Sequence, residues 1–399
     1  MAQPYSGFKV VDLTHVLAGP FAVYQLAVLG AEVIKIENPN QPDQVRETGV
    51  EDEWGHRLMN TNFLTQGSNK RAITLDIKTA KGREVLLKLI DKADVFVQNY
   101  RKGALAKLGL GYEDLKKRNP NLIYCSLSGY GHTGPKGHHT AYDGVIQATS
   151  GLMSVSGTPE LTPLKVGAAV VDYASGSTAA FAIASALVQR ERNGGGSQHI
   201  DVSMLDAALM LLSSNVCGYL STGKRLSTPR GNAYPTAGGS CFETKDGLLM
   251  LSAINDRQHI RLWKLLGRED YAKLYRHFDQ VKHDPELRAE LTRIFMTKTA
   301  AEWEETLNEA GVPSGRVRTL PETLEWDQVK SRKNLTHRHD YVKGVEGPVT
   351  VPVAGFSFEH GGAKVTSPPA LMGEHTDEVL KELGYKDADI AAMRAEGVV

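Results

Sequence analysis

Short apolar runs alternate with amphipathic stretches along the N-terminal third of the chain, and that alternation leaves few architectures open. Residues 8–13 (FKVVDL) read as a strand and His15-Val16-Leu17-Ala18-Gly19 as a loop, and Pro20 suits the first turn of a helix. That helix turns Phe21, Val23, Leu26, Ala27 and Leu29 inward and stops at Gly30. Residues 32–37 (EVIKIE) are a second strand. Strand, loop, helix and strand in this order make a right-handed parallel unit, with its ligand site in the loop at the carboxyl end of the first strand. The pattern then repeats. A strand at 72–77 is followed by a helix that Thr79 caps, with Val85, Leu86, Leu89 and Ile90 on one face. Further strands fall at 93–98 and 122–127. The expected fold class is α/β, a doubly wound parallel domain. Its first loop lacks the GxGxxG dinucleotide fingerprint, which argues against a nicotinamide dehydrogenase.

A second informative stretch is KVGAAVVDYASGSTAAFAIASALVQRER, residues 165–192. It reads as a buried strand over 166–171 and then a helix rich in Ala, Ser and Gly, packed closely enough that its neighbours need small residues in contact. Asp172 falls at the junction, where free N–H groups and the positive end of the helix dipole favour a carboxylate. The residues alone leave two readings of this acid: a helix cap, which Asp often is, or an anion held ready for chemistry. Beyond it come a turn at 193–197, a strand at 199–202 and a long apolar helix from Met204. A polar stretch at 221–237 reads as a linker, followed by the glycine turn AGGSC and a strand at 248–253. Residues 258–311 are helical and charged, 349–358 read as strands, and the last helix spans 377–383. The expected organisation is a large domain over 1–220, linker and small α+β domain over 221–330, and a return to the large domain over 331–399.

With 399 residues the chain is too long for one ordinary core. Lys and Arg total 46, as do Asp and Glu, so charge supplies no general attraction to nucleic acid or an anionic membrane, and neither is expected as a partner. Cys125, Cys217 and Cys241 are scattered without ligand spacing and fit free thiols in a reducing compartment. His132, His138 and His139 have no carboxylate or cysteine at metal-ligand spacing, so no metal is expected. Neither an export signal nor a run long enough to span a bilayer is read, and the expected location is the cytoplasm. Arg71, Lys78, Arg101, Lys102 and Lys107 lie near strand ends, as a phosphate patch if their loops converge or as solvated surface if they do not. Tyr142, before Asp143 at the start of a helix, is either a pocket hydroxyl or a half-buried ring.

DLTHVLAGP with GAEVIKIE, SNKRAITLDIKT with ADVFVQNYRKGAL, the VVDYASG run, and GEHTDEVLKELG together resemble the class III CoA-transferases, the CaiB/BaiF family, and most of all its formyl-CoA transferase-like members. The resemblance runs in order over almost the entire chain. It implies a large Rossmann-like domain built from both chain ends, a small middle domain, and two protomers interlocked like linked rings. It assigns Asp172 the role of covalent nucleophile and likens the turn at Gly238 and Gly239 to a mobile glycine loop over the site, here with fewer glycines. It places Val16, Leu17, Ala18, Leu75, Lys78, Asn99, Tyr100, Lys107, Tyr142 and Met204 around coenzyme A.

Formyl-CoA transferase has glutamine where Leu17 stands and arginine where Asn38 stands, so the resemblance points away from formyl and oxalyl exchange. The implied activity is CoA transfer from an acyl-CoA such as succinyl-CoA to a small carboxylic acid. A dicarboxylate is expected in part from the cations Arg46, Arg71, His138 and His139. Coenzyme A thioesters act as substrates, and no permanently bound cofactor is expected. Two alternatives remain. One is an α-methylacyl-CoA racemase-like enzyme, whose histidine would fall at Tyr142; a tyrosine of ordinary pKa near about 10 is a poor proton shuttle at neutral pH. The other is a non-catalytic CoA-binding protein in which Asp172 only caps its helix.

Overall fold

A computed structural model describes residues 2–224 and 231–399, so part of the expected linker, 225–230, lies outside the described residues. The chain divides into two compact units. The first comprises Met1–Met153, Lys165–Leu226 and Arg332–Val399, and the second Ser154–Leu164 and Ser227–Ser331.

The first unit is built on six parallel strands: β1 (Lys9–Leu13), β2 (Glu32–Glu37), β3 (Lys70–Thr74), β4 (Val95–Gln98), β5 (Ile123–Ser128) and β6 (Gln198–Ser203). They lie in the order β3-β2-β1-β4-β5-β6. Val11 of β1 pairs with Ile34 on one side and Phe96 on the other. The strand order therefore reverses between β1 and β4, the doubly wound arrangement in which a crevice opens at the carboxyl ends of those two strands.

Alternate residues on each strand feed separate cores, because successive side chains point to opposite faces. Val11, Leu13, Ile36, Ile73, Phe96 and Tyr124 pack on one face against the apolar stripe expected on the Ala80–Ile90 helix. Thr79 caps that helix, accepting a hydrogen bond from the Gly82 N–H. Val379, Leu380, Ile390 and Met393, from near the other end of the chain, complete the same core. On the opposite face Val10, Val33, Val95, Val97 and Ile123 meet the Ala18–Val28 and Val170–Arg192 helices. Strands buried on both faces explain why their sequences read as apolar runs.

The second unit holds a three-stranded antiparallel sheet of β7 (Cys241–Glu243), β8 (Leu248–Leu251) and β9 (Ser314–Arg316). Trp263, Leu291, Phe295, Trp303 and Leu307 fill its core.

Several expected elements differ. Residues 166–169 are irregular, and the helix begins at Val170, so no strand precedes Asp172. Instead the Val166 N–H donates to Gln147 Oε1 at 2.9 Å. The apolar helix from Met204 bends by 80° between Met204–Leu211 and Ser213–Thr222. Of 349–358 only β11 (Val349–Pro352) is a strand, antiparallel to β10 (Thr336–His339), and a further helix, Asp387–Ala395, follows the one expected to be last. The Val170–Arg192 helix has the length and apolarity of a membrane span, contrary to the sequence reading, but it is a core helix with Ala179, Ile183 and Leu187 buried.

The close helix packing read from the small residues is present. A Cβ built on Gly176 would lie 2.6 Å from the Ala18 carbonyl oxygen and 2.9 Å from the Phe21 ring. One turn away, Tyr173 meets Phe21 edge to face with ring centroids 4.9 Å apart. Alanine has the higher helix propensity, yet here it would push one backbone off another. Gly176→Ala is therefore expected to destabilise the protein by about 1–3 kcal/mol, read as a lower urea midpoint at unchanged slope.

Candidate active site

The loops that leave β1 and β4 form two walls of the crevice, and Asn99 ties them together. Its Oδ1 accepts the His15 N–H at 2.9 Å, and its Nδ2 donates to the His15 carbonyl at 2.7 Å. Tyr100 packs edge to face on the His15 ring, with its hydroxyl 3.4 Å from Nε2. Val16 takes a φ of +71°, which a β-branched residue adopts only under constraint. The constraint is visible: its N–H donates to Asp43 Oδ1 at 3.0 Å, and its carbonyl accepts from Gln66 Nε2 at 2.6 Å.

Beneath these loops lies a buried network of charges. Lys35 bonds Asp43 at 3.1 Å and the Thr14 carbonyl at 2.9 Å; Lys70 bonds Asp12 at 3.0 Å; Arg46 grips Glu37, with its shortest contact at 2.7 Å. Burial alone would raise the Glu37 pKa, but Lys35 and Arg46 hold it down at about 2. Every charge is paired, as a water-free interior requires, and the network locks the first loop to β2 and β3. This corrects the reading of Arg46 as a cation free for substrate, because it is fully buried on Glu37. Arg71 is likewise engaged, by Glu378 and Glu382.

Leu127, Ser128, Gly129, Gly137, residues 139–142 and Met204 complete a cleft of about 440 Å³, and Asp172 lies in its wall. Of the residues singled out from sequence, Val16, Leu17, Ala18, Asn99, Tyr100, Tyr142, Asp172 and Met204 line this one cleft. His139, Arg101 and Lys102 line it too, whereas His138 is exposed and does not. Leu75 is instead buried in the core, and Lys78 and Lys107 are exposed outside the lining. Gly238 and Gly239 belong to the second unit, in the short turn Ala237–Gly239. That turn is packed: a Cβ on Gly238 would lie 2.5 Å from the Ala253 carbonyl oxygen, and the Ala253 N–H donates to the Gly238 carbonyl at 2.7 Å.

Asp172 is the third residue of its helix, not the cap; the capping position is Ala169, which has no side chain to offer. Asp143, opening the Asp143–Thr149 helix, does that work from outside. Its Oδ2 accepts the N–H groups of Val171 at 2.7 Å and Asp172 at 3.2 Å, and Gln147 donates to its Oδ1. The Asp172 carboxyl is left 8% exposed, with no hydrogen bond to it among the described residues. Burial first, and the charge of Asp143 second, push its pKa up to about 7. An anion so poorly solvated is a strong nucleophile for a carboxylate, and half of it is ionised near neutral pH.

Sequence reading missed the anchoring role of Asp143, although two acids each opening a helix were a usable signal. It also missed Ser128, whose buried hydroxyl has no partner among the described residues. Nothing in the local sequence marks that serine. No group of three His, Cys, Asp or Glu side chains converges as a metal centre among the described residues.

A parallel sheet has its crevice at the reversal point, and a largely buried carboxyl lies on the crevice wall. The family described as CoA-transferase family III matches residues 5–376. The chain is 35% identical to the succinyl-CoA:glutarate CoA-transferase of Mus musculus over the whole of this chain and 90% of that one. It is 36% identical to the succinate–glutarate CoA-transferase of Agrobacterium fabrum, covering 95% of this chain and 96% of the relative. A crystal structure of a CAIB/BAIF family protein from Brucella suis superposes with a TM-score of 0.80 at 34% identity, over 96% of this chain and all of that one. The chain belongs to CoA-transferase family III, and its class is that of the acyl-CoA:carboxylate CoA-transferases.

A raised carboxyl pKa has a consequence for stability. Folding disfavours ionised Asp172, so the cost is absent below about pH 4, grows as pH rises towards 7 and is complete above it. Asp172→Asn is expected to raise stability by about 2–4 kcal/mol above pH 7 and by almost nothing at pH 4. Urea unfolding of both proteins across that range checks it.

Proposed function

We propose that the enzyme carries CoA from succinyl-CoA to a small dicarboxylic acid through covalent intermediates on Asp172. The observation that carries the reading is the Asp172 carboxyl itself, buried, unpaired and open to the same cleft as residues 15–18 and 99–102. The names of the Mus musculus and Agrobacterium fabrum relatives, which pair succinyl-CoA or succinate with glutarate, support the substrates.

In the first step an Asp172 oxygen attacks the donor's thioester carbon, the C–S bond breaks, and CoA leaves as thiolate. The thiolate attacks the aspartyl carbonyl of the resulting mixed anhydride, which releases the donor acid and leaves an aspartyl-CoA thioester. The acceptor's carboxylate then attacks that aspartyl carbonyl, giving a second anhydride and thiolate again. Attack of thiolate on the acceptor's acyl carbon makes the new acyl-CoA and returns Asp172 as carboxylate. One fixed carboxylate thereby divides an exchange between two weak nucleophiles into single substitutions. Each step makes an oxyanion, which the positive end of the helix dipole would favour, since the helix-start N–H groups of Val171 and Asp172 are already bonded to Asp143. Burial of Asp172 shields the anhydrides from water.

Leu17, on the same cleft as the nucleophile, favours an acid with a methylene chain over oxalate. The cations on the cleft, Arg101 and Lys102, suit anionic groups of CoA and acid. The chemistry calls for no bound cofactor. A homodimer is part of the proposal, supported by the exposed apolar residues Phe181, Met210, Tyr219 and Leu220. A cytoplasmic location is part of the proposal, and the neutral charge balance fits a protein with neither nucleic acid nor membrane as partner.

Incubation with succinyl-CoA and then hydroxylamine should label one residue, Asp172, read by mass spectrometry of peptides. Asp172→Ala and Asp172→Asn should lose transfer by about 10³-fold or more while remaining folded. Label on a different acid, or transfer by Asp172→Asn at wild-type rate, would rule out this nucleophile. Products from a panel of mono- and dicarboxylic acids, weighed by mass, test the acceptor: glutarate-like acids should outrun acetate and oxalate.

A further inference from the structure

A second, smaller cavity of about 110 Å³ lies near β4, β5 and β6, and the transfer chemistry does not use it. Its polar lining is Gln98, Arg101, Tyr112, Tyr124, Ser126, His132 and His199. Gln98 Nε2 donates to Ser126 Oγ at 2.9 Å, and Ser126 Oγ lies 3.0 Å from His199 Nε2. Tyr112 stacks on the His199 ring with centroids 5.0 Å apart. The His132 N–H donates to Asp201 at 2.8 Å, which fixes the backbone that carries its ring. The ring's Nε2 is nevertheless buried without a hydrogen-bond partner among the described residues. Arg101 forms no ion pair among the described residues, and it lines both this cavity and the large cleft.

A buried ring nitrogen left unpaired is costly, so a polar ligand opposite it is the ordinary resolution. The charge of that ligand follows from the lining. A guanidinium, two imidazoles, two phenols, an amide and a hydroxyl line it. Burial first, and His132 next, lower the His199 pKa against the opposing pull of Asp201 and Glu113, and no carboxylate lines the space. The volume exceeds what one water needs and is far too small for a coenzyme. We infer that this cavity is a binding site for a small oxyanion, a short carboxylate or inorganic phosphate, held by Arg101 and His132. Because Arg101 also borders the cleft, an anion in the cavity draws that guanidinium away from acyl-CoA. Small acids would then weaken acyl-CoA binding from outside the acceptor's own position.

The test is thermal unfolding of the full chain with sodium acetate or sodium phosphate added, against sodium chloride at equal ionic strength. A saturable rise of a few degrees is expected with at least one of the two salts, and the effective salt names the anion. The rise should vanish in Arg101→Gln and His132→Phe and persist in Lys102→Gln, which alters the cleft alone. Arg101 is exposed, so its variant keeps the test valid even if His132→Phe fails to fold. A rise that survives Arg101→Gln, one lost in Lys102→Gln, or none beyond chloride would overturn the assignment. So would a crystal grown in the effective salt with only water at His132 Nε2. None of these readings involves Asp172, so they stand apart from the test of the transfer chemistry.

Discussion

The contact between the Ala18–Val28 and Val170–Arg192 helices governs the site, because there one backbone touches another with nothing but Gly176 between. The first of these helices leaves the β1 loop that forms one side of the cleft. The second carries Asp172 in its first turn. Pressing them together at Gly176 sets the carboxyl on the same cleft as Leu17 and Ala18 with a precision that long side chains could not give, since those hop between rotamers while backbones do not.

That positioning would be of little use if the carboxyl were well solvated. The usual way to settle an acid at a helix start is to let the free N–H groups bond it. Here Asp143 accepts those groups instead, and Asp172 is left largely buried with no donor among the described residues. The result is an anion of high energy on a rigid element, its cost borne by the surrounding packing. A second strain accompanies it at Val16, whose left-handed backbone is gripped from both sides by Asp43 and Gln66. Both departures from local preference fall on the same cleft, where a functional site concentrates them.

Much of the first unit could be read directly. The strands at β1, β2, β4 and β5, the Thr79 cap and the small-residue packing surface all follow from local pattern, because burial on both faces of a parallel sheet leaves a repeating apolar signature. Errors came where pattern was ambiguous. The apolar run before Asp172 has the composition of a strand, yet no strand pairs with it, and the Val166 N–H is bonded by the Gln147 side chain instead. The bend near Leu212 divides a helix whose composition is apolar on both sides of the break. Arg46 looked available because a lone arginine on a polar stretch is usually solvated, and its partner, Glu37, sat within a strand expected to be apolar.

The sequence by itself determined that the chain is a doubly wound α/β protein with a ligand loop after its first strand, and it marked Asp172 as the acid to watch. Periodicity and turn residues act over a few positions, so they survive in one dimension. Which groups share the cleft was decided by the tertiary structure alone. Asp143 and Asp172 are far apart along the chain, as are Lys70 and Asp12. The energy of a buried charge depends on what surrounds it in space, and no local pattern encodes that.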